Sequence, residues 1–304
     1  EKLMFYLDKT RPIEVTVNSL ILKYLSDQNI IFKKENKFIA KTPYVLDFIV
    51  DLTNNFYEIN YNFNQKFTGD ILGYIYQILK KEGEKNITGS YYTPEYIVKE
   101  MLKNISFSNK TICDPCCGTG GFLNIIAQNT DVSPNDIYGY DIDANAVKIA
   151  KANLFSIYKD YDFQPNIYEA NFLKTQLVKK FDIIITNPPW GAKSNFEHDS
   201  FLEIHSKESF SYFLKKSIDH TTDNTGKIIF LLPTSVLNVK THKDIRRYIV
   251  EKTSIEKIQI FKKPFTAVLT DAVSLSLSKQ KTNITEIIEN ENTHQVDSNR
   301  FSKN

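Results

Sequence analysis

From about residue 90 to residue 278 the chain alternates short apolar runs with amphipathic stripes. Runs rich in Ile, Leu, Val and aromatic side chains stand at 110–113, 136–140, 166–169, 181–186, 227–232, 254–261 and 272–277, and they predict seven strands. Between them, three stripes recur at three- and four-residue intervals: Ile97, Val98, Met101, Leu102 and Ile105; Ala144, Val147, Ala150 and Leu154; and Phe210, Phe213, Leu214 and Ile218. That spacing belongs to helices with one buried face. Ile183, Ile184 and Ile185 are apolar without alternation, as in a strand buried on both faces. Strands alternating with helices predict an α/β chain built on a parallel, doubly wound, Rossmann-like sheet.

Residues 1–88 are patterned differently. Val17, Leu20, Ile21 and Tyr24 lie at helical spacing, the run 44–52 is apolar, and Ile71, Leu72, Ile75, Ile78 and Leu79 form a stripe that stops at Lys80, Lys81 and Gly83. A mainly helical N-terminal subdomain is expected, one that packs and has no chemistry of its own. The polar stretch 84–89 sets the domain boundary, giving a second domain at 89–278, and the Asn-rich stretch 279–304 predicts a polar linker or tail.

The strand at 181–186 runs straight into Asn187, Pro188, Pro189 and Trp190. Each proline fixes its own φ, donates no N–H and pushes its predecessor towards extended geometry, so the loop is stiff. It presents the Asn187 side-chain oxygen and the Pro188 carbonyl as neighbouring acceptors beside the Trp190 face, which are the parts needed to grip a planar –NH2. An exocyclic amino nitrogen is a poor nucleophile because its lone pair is delocalised. Two acceptors that hold its N–H groups out of plane aim that lone pair at an incoming methyl. The same four residues also fit a Pro-Pro turn that ends a strand, with Trp190 in the core.

The segment 111–123 reads as strand, glycine loop and helix, the first βα turn of the sheet. Gly118, Gly120 and Gly121 let a ligand approach the backbone, and Asp114 can meet a cation. The full glycine spacing of a dinucleotide cradle is missing, so a cofactor with a positive centre fits better than a pyrophosphate. Asp141, at the end of the next strand about twenty residues beyond the glycines, is placed to take ribose hydroxyls, and Asp143 to cap the helix that follows. A third strand delivers Asn171 and Phe172, suited to the edge and face of an adenine ring or, equally, to a solvated turn with a core Phe. Upstream, Thr93, Pro94 and Glu95 form a helix start with Thr93 as N-cap.

Composition changes this picture little. The 304 residues are 41% hydrophobic and 24% charged, ordinary for a globular chain of about two domains, and a formal net charge of +2 points to no partner. Locally, 240–263 holds eight Lys or Arg against three acids, suited to tracking phosphates or to a solvated helix face. The sequence has no apolar run long enough to span a bilayer and no signal peptide, so no membrane partner and a cytoplasmic location are expected. The chain opens at Glu1, which implies a fragment or a processed form. Cys113, Cys116 and Cys117 have a CxxC spacing that invites zinc, but no His stands near them and small side chains suit a glycine turn, so no metal is expected. The polar stretch from Trp190 to His205 is long enough to be a substrate-contacting loop.

In order, Tyr91-Tyr92-Thr93-Pro94, Asp114-Pro115-Cys116-Cys117-Gly118-Thr119-Gly120-Gly121-Phe122, Asp141 and Asn187-Pro188-Pro189-Trp190 resemble the motifs of the gamma-class DNA adenine-N6 methyltransferases, the modification enzymes or subunits of restriction-modification systems. The resemblance covers about residues 70 to 278. It implies the seven-stranded class I S-adenosylmethionine-dependent methyltransferase fold with one antiparallel strand, and S-adenosylmethionine as cofactor. By resemblance the cofactor is held by Tyr92, Thr93, Asp114, Cys116, Gly118, Thr119, Gly120, Phe122, Asp141, Ile142, Asn171, Phe172 and Asn187. Its methionine end lies at Thr93 and the glycine loop, its ribose at Asp141 and its adenine at Asn171 and Phe172. The family commonly has Asp where this chain has Asn171. Catalysis falls to Asn187, Pro188, Pro189 and Trp190. The substrate is double-stranded DNA with a flipped adenine, sandwiched between Trp190 and Phe265. A specificity subunit or target-recognition domain outside the chain and a restriction nuclease are the further partners implied.

Two other functions compete. Protein glutamine-N5 methyltransferases use a similar Asn-Pro-Pro loop, usually with Tyr after it, and the pair Trp190 and Phe265 suits a purine better than an amide. A non-catalytic DNA-binding or assembly subunit would keep the fold while losing Asn187 or the glycines, and this chain keeps both.

Overall fold

The computed structural model describes residues 6–302 apart from 9, 36, 64–69, 81–91, 192–200, 202, 207, 266–269 and 291. The N-terminal part consists of α1 (Ile13–Asp27), a hairpin of β1 (Ile31–Lys34) and β2 (Lys37–Ala40), α2 (Pro43–Leu52) and α3 (Ile71–Leu79). The expected helices are present, and the hairpin is added to them. The boundary expected at 88–89 lies outside the described residues.

Next come α4 (Glu95–Leu102), β3 (Ile112–Asp114), α5 (Gly121–Asn129), β4 (Ile137–Asp141), α6 (Ala144–Ile157), β5 (Asn166–Glu169) and β6 (Ile183–Thr186). The chain continues with α7 (Ser209–Asp219), β7 (Lys227–Pro233), α8 (Ser235–Asn238), α9 (Lys243–Lys252), β8 (Ser254–Phe261) and β9 (Ala272–Ser278). All seven expected strands are there. Their order is β8-β9-β7-β6-β3-β4-β5, parallel throughout except for β9, which runs antiparallel to both neighbours. Burial of both faces of the sheet explains the unbroken apolar runs. Ile183, Ile185, Ile229 and Leu231 pack into one core, while Ile184, Ile228, Phe230 and Leu232 pack into the other.

The first core is shared with α1, α3, α5 and α6 through Leu20, Leu72, Phe122 and Leu154. The second is covered by α7 and α9 through Phe210, Leu214, Ile245 and Ile249. The N-terminal subdomain is thus continuous with one face of the sheet.

One expectation is corrected at the C-terminal end. The stretch after Lys279 is not a linker: β10 (Ile284–Glu289) and β11 (Asn292–Asp297) form a hairpin, and β10 pairs parallel to β8, extending the sheet to nine strands. Ladder hydrogen bonds account for this, since β11 is almost wholly exposed and adds little apolar burial.

β3 lies inside the sheet, between β6 and β4. Connections from it run outward to β4 and β5 on one side, and the chain then returns to β6 on the other. Ligands of such sheets bind at the carboxyl ends of the strands flanking this switch point, and here those ends are Asp114 and Thr186.

Candidate active site

Asp114, the last residue of β3, is buried at 1% exposure with its Oδ1 engaged. That oxygen accepts from Thr186 Oγ1 at 2.6 Å and from the Cys116 N–H at 3.0 Å. Its Oδ2 is buried with no partner. Burial pushes the carboxyl up to about 7, against the lowering effect of the Thr186 and Cys116 hydrogen bonds. An unpaired carboxylate oxygen in such a place is costly unless a cation or donor arrives.

Beside it, Asn187 follows β6 and has the same character. Its Nδ2 donates to Thr93 Oγ1 at 3.1 Å, which fixes the amide plane, and its Oδ1 is buried with no partner. Thr93 therefore does not cap α4 as expected. Pro94 occupies the N-cap position without a side-chain cap, and the Thr93 hydroxyl serves Asn187 instead. Two orphaned acceptors on adjacent strand ends are the main chemical feature of the site. The neighbouring Pro189 carbonyl is already bonded to Ser209 Oγ at 2.8 Å.

The glycine loop arches over Asp114. Gly118 and Gly120 have φ of 52° and 91°, values that side chains disfavour, and a Cβ at Gly118 would meet nothing within 4 Å. Open space above a bare backbone fits close approach of a ligand. The Gly118 N–H donates to Asp141 Oδ2 at 2.8 Å, and Asp141 Oδ1 accepts the Asp143 N–H at 2.9 Å. Each Asp141 oxygen keeps acceptor capacity for a hydroxyl. Asp143 caps α6, as expected, by accepting from the Asn145 and Ala146 N–H groups. Ile142, the next residue after Asp141, is 67% exposed and offers a flat apolar surface.

Other expected cofactor residues are placed differently. The Thr119 side chain is buried and its hydroxyl donates to Asp70 Oδ2 at 2.6 Å, so only the Thr119 backbone faces the loop. Phe122 lies in the first core. Phe172, at 1% exposure, stacks on Phe213 with centroids 6.1 Å apart and packs edge-on to Tyr140, as a core residue. The Asn171 side-chain oxygen accepts the Leu173 N–H at 3.0 Å, closing its own turn. The apolar surroundings pull the Phe ring inward, and the short Asn side chain bonds its local backbone. Lys216 ties that turn from beneath, its Nζ donating to the carbonyls of Phe172, Leu173 and Thr175 at 2.6–3.1 Å, and burial lowers its pKa to about 8. Tyr92 faces a cleft shared with Asp70, Glu95 and Asn124 behind the glycine loop, and Tyr91 lies outside the described residues.

Trp190 and Phe265 do meet, but not as a sandwich. Their rings stand 5.2 Å apart at 84°, edge to face, and Trp190 Nε1 donates to the Leu231 carbonyl at 3.2 Å. At that angle no parallel slot for a base lies between them. Of the stretch from Trp190 to His205 expected to contact substrate, residues 192–200 and 202 lie outside the described residues, while Phe201 and Ile204 are buried in the second core. Cys113, Cys116 and Cys117 are free thiols pushed up by burial. Among the described residues no cluster of metal-ligating side chains occurs, and no helix is long and apolar enough to cross a membrane.

Sequence reasoning missed Thr186, Asp70 and Ser209. Thr186 left a signal, being the polar residue that closes an apolar run. The contacts of Asp70 and Ser209 bridge distant segments and left none.

Known proteins resemble this chain in both sequence and fold. The type II methyltransferase M.VspI of Vibrio sp. (strain 343) is 34% identical over 215 residues, covering 68% of this chain and 52% of that protein. The type I restriction enzyme MjaIX methylase subunit of Methanocaldococcus jannaschii is 28% identical over 224 residues, 66% of this chain and 39% of that one. The chain thus spans about half the length of the curated relatives it matches. Among solved structures, a Listeria monocytogenes protein assigned to the class I S-adenosylmethionine-dependent methyltransferases superposes with a TM-score of 0.58 at 17% identity, covering 91% of this chain and 84% of that one. The M protein of the type I restriction enzyme EcoKI gives 0.52 at 16% identity, covering 91% and 62%. The fold is that of the class I S-adenosylmethionine-dependent methyltransferases. With residues 67–304 matching the model of the N-6 DNA Methylase family, the chain belongs to that family.

Proposed function

We propose that the chain transfers a methyl group from S-adenosylmethionine to the N6 amino group of adenine in DNA. The observation that carries this reading is the buried, unpartnered Asn187 Oδ1, held in place by Thr93 beside the equally unpartnered Asp114 Oδ2. A charged or amino donor is what each acceptor lacks.

Gly118, Asp114, Asp141 and Ile142 would hold the cofactor, which when bound supplies an electrophilic methyl on a sulfonium. Asp114 Oδ2 suits a cationic ammonium, the bare Gly118 backbone suits close approach, Asp141 accepts hydroxyl protons and Ile142 covers an apolar ring. Asn187 Oδ1 accepts one N–H of the target amine and turns the nitrogen lone pair out of conjugation. The nitrogen would form its new bond to the methyl carbon as the carbon–sulfur bond breaks and its electron pair stays on sulfur, leaving a neutral thioether, and would then release a proton to water. Trp190 and Phe265 must part for a purine to stack against either ring. Removing the base from the duplex costs a few kcal/mol, which stacking partly offsets.

Family membership favours a nucleic-acid amine over a glutamine amide, and retention of Asn187 and the glycines favours an active chain over an assembly subunit. DNA specificity, in this reading, comes from a recognition subunit or domain outside residues 1–304, and a restriction nuclease is the natural companion. Methyl-labelled cofactor offered with DNA and with protein substrates tests the reading. Label recovered as N6-methyladenine is expected, and label recovered on glutamine would overturn it.

A further inference from the structure

Asp70 stands outside the sheet, at the N-cap of α3, and is engaged from three directions. Its Oδ1 accepts from the Gly73 N–H at 2.8 Å and from Asn153 Nδ2 at 2.8 Å, and its Oδ2 accepts from Thr119 Oγ1 at 2.6 Å. A plain helix cap needs only the first of these. Burial pushes this carboxyl up while its three donors pull it down. The packing is close: a Cβ on Gly73 would lie 2.0 Å from Asp70 Oδ2 and 2.3 Å from Thr119 Oγ1.

The partner, Thr119, sits between Gly118 and Gly120, both of positive φ, and its carbonyl accepts from Asn153 Nδ2 at 3.1 Å and Asn124 Nδ2 at 3.4 Å. Between two flexible residues, the one side chain of that turn is anchored to a residue 49 positions upstream. The other end of α3 reaches the second loop of the site. Tyr76 donates its hydroxyl to the Asp143 carboxylate at 2.8 Å, and Lys80 Nζ follows at 2.7 Å. Asp143 in turn donates its N–H to Asp141, which accepts from Gly118. The bonds form a closed circuit: α3, Thr119, Gly118, Asp141, Asp143 and back to α3.

We propose that α3 is the third wall of the cofactor site, and that Asp70 is a positioning residue that sets the glycine loop, through Thr119, at the working distance from Asp141. The inference rests on the cofactor reading above. It gives the N-terminal subdomain a task in binding, in place of the packing role expected for it.

The test measures S-adenosylmethionine affinity by calorimetry on the full chain, with melting curves to show that each variant is folded. Thr119→Val should weaken binding about tenfold, as for one lost charge-assisted hydrogen bond, and Thr119→Ser should restore it to within about twofold on the same scale. Asp70→Asn, whose amide can still donate to the Thr119 hydroxyl in a neutral bond, should weaken binding by less than Thr119→Val. The double variant should be no weaker than the weaker single one, because both changes act on the Asp70–Thr119 contact while the amide oxygen in Asp70→Asn still accepts from Gly73 and Asn153. With substrate DNA, KM for the cofactor should rise while kcat at saturating cofactor holds, since neither group touches reacting atoms. Wild-type affinity in folded Thr119→Val, or additive losses in the double variant, would overturn the proposal. If Asp70→Asn does not fold, the Thr119 pair decides alone. Wild-type protein that binds no cofactor is a separate outcome and would overturn the functional reading itself.

Discussion

The two halves of the candidate site are prepared to different degrees. At the carboxyl ends of β3 and β6, Asp114 and Asn187 each keep one oxygen bare inside the protein while a neighbouring hydroxyl, Thr186 or Thr93, engages the other end of the group. At the ring-gripping end the groups are occupied: Trp190 lies against Phe265, Phe172 against Phe213, and the Asn171 oxygen bonds the Leu173 N–H. The difference follows from physics. A polar acceptor fixed in a dry site keeps its direction without a ligand and gains most when a donor arrives. An apolar face left open gathers whatever apolar surface is nearest.

The comparison is broken most severely at Asn187. Asn187→Ala should lower turnover by about 10²–10³, the scale for one oriented group at a reacting atom, with cofactor affinity nearly unchanged. A fall in affinity as large as the fall in turnover would move Asn187 from reaction to binding.

Asp114 gives the second effect, through pH. Its carboxyl is raised from 3.8 to about 7 in the fold. The unfolded chain therefore releases this proton first, and the group's contribution to stability is present below 3.8 and lost as pH rises through about 7. In Asp114→Asn this portion of the pH dependence should vanish from melting temperatures measured across that window. Cofactor affinity of the wild type should rise over the same window, as a cation prefers the ionised partner. Affinity flat with pH would separate Asp114 from the cationic group.

A smaller effect is expected at the aromatic pair. Trp190→Ala should weaken capture of an extruded adenine by about 1–3 kcal/mol. A mismatched target, cheaper to extrude, should recover part of the loss, and Asn187→Ala should show no such rescue. Trp190 is the single tryptophan of the chain, so its fluorescence reports parting of the pair directly. Emission unchanged by DNA that is being methylated would show the rings stay closed. Least of all should Asn171→Asp matter. Either side chain can accept the Leu173 N–H, and cofactor affinity should shift by less than about tenfold.

What was legible in the sequence was what local pattern encodes. Apolar runs bounded by Gly, Pro and Asp marked all seven central strands, and β5 and β8 fell on their expected residues. The motif residues Asn187, Asp114 and Asp141 announced themselves by standing at strand ends. The edge hairpin β10–β11 did not, because its outer strand is held by ladder hydrogen bonds and carries almost no apolar signal. The β1–β2 hairpin did leave a trace, two short runs about Glu35, whose φ of 48° makes the turn. Side-chain partnerships across the chain were hidden. Thr93 reads locally as a helix cap, and only folding shows that its hydroxyl belongs to a residue 94 positions away. The tie from Asp70 to Thr119, 49 positions away, is likewise visible only in the fold.

The central claim is that Asn187 Oδ1 receives the amine that becomes methylated, and one measurement bears on it most directly. DNA incubated with the full chain, its recognition partner supplied, and methyl-labelled S-adenosylmethionine is digested to nucleosides and examined by mass spectrometry, in parallel for wild type and Asn187→Ala. Labelled N6-methyl-2′-deoxyadenosine from the wild type alone, with both proteins binding the cofactor equally in calorimetry, is the predicted result. Equal yields of that nucleoside from the two proteins would contradict it.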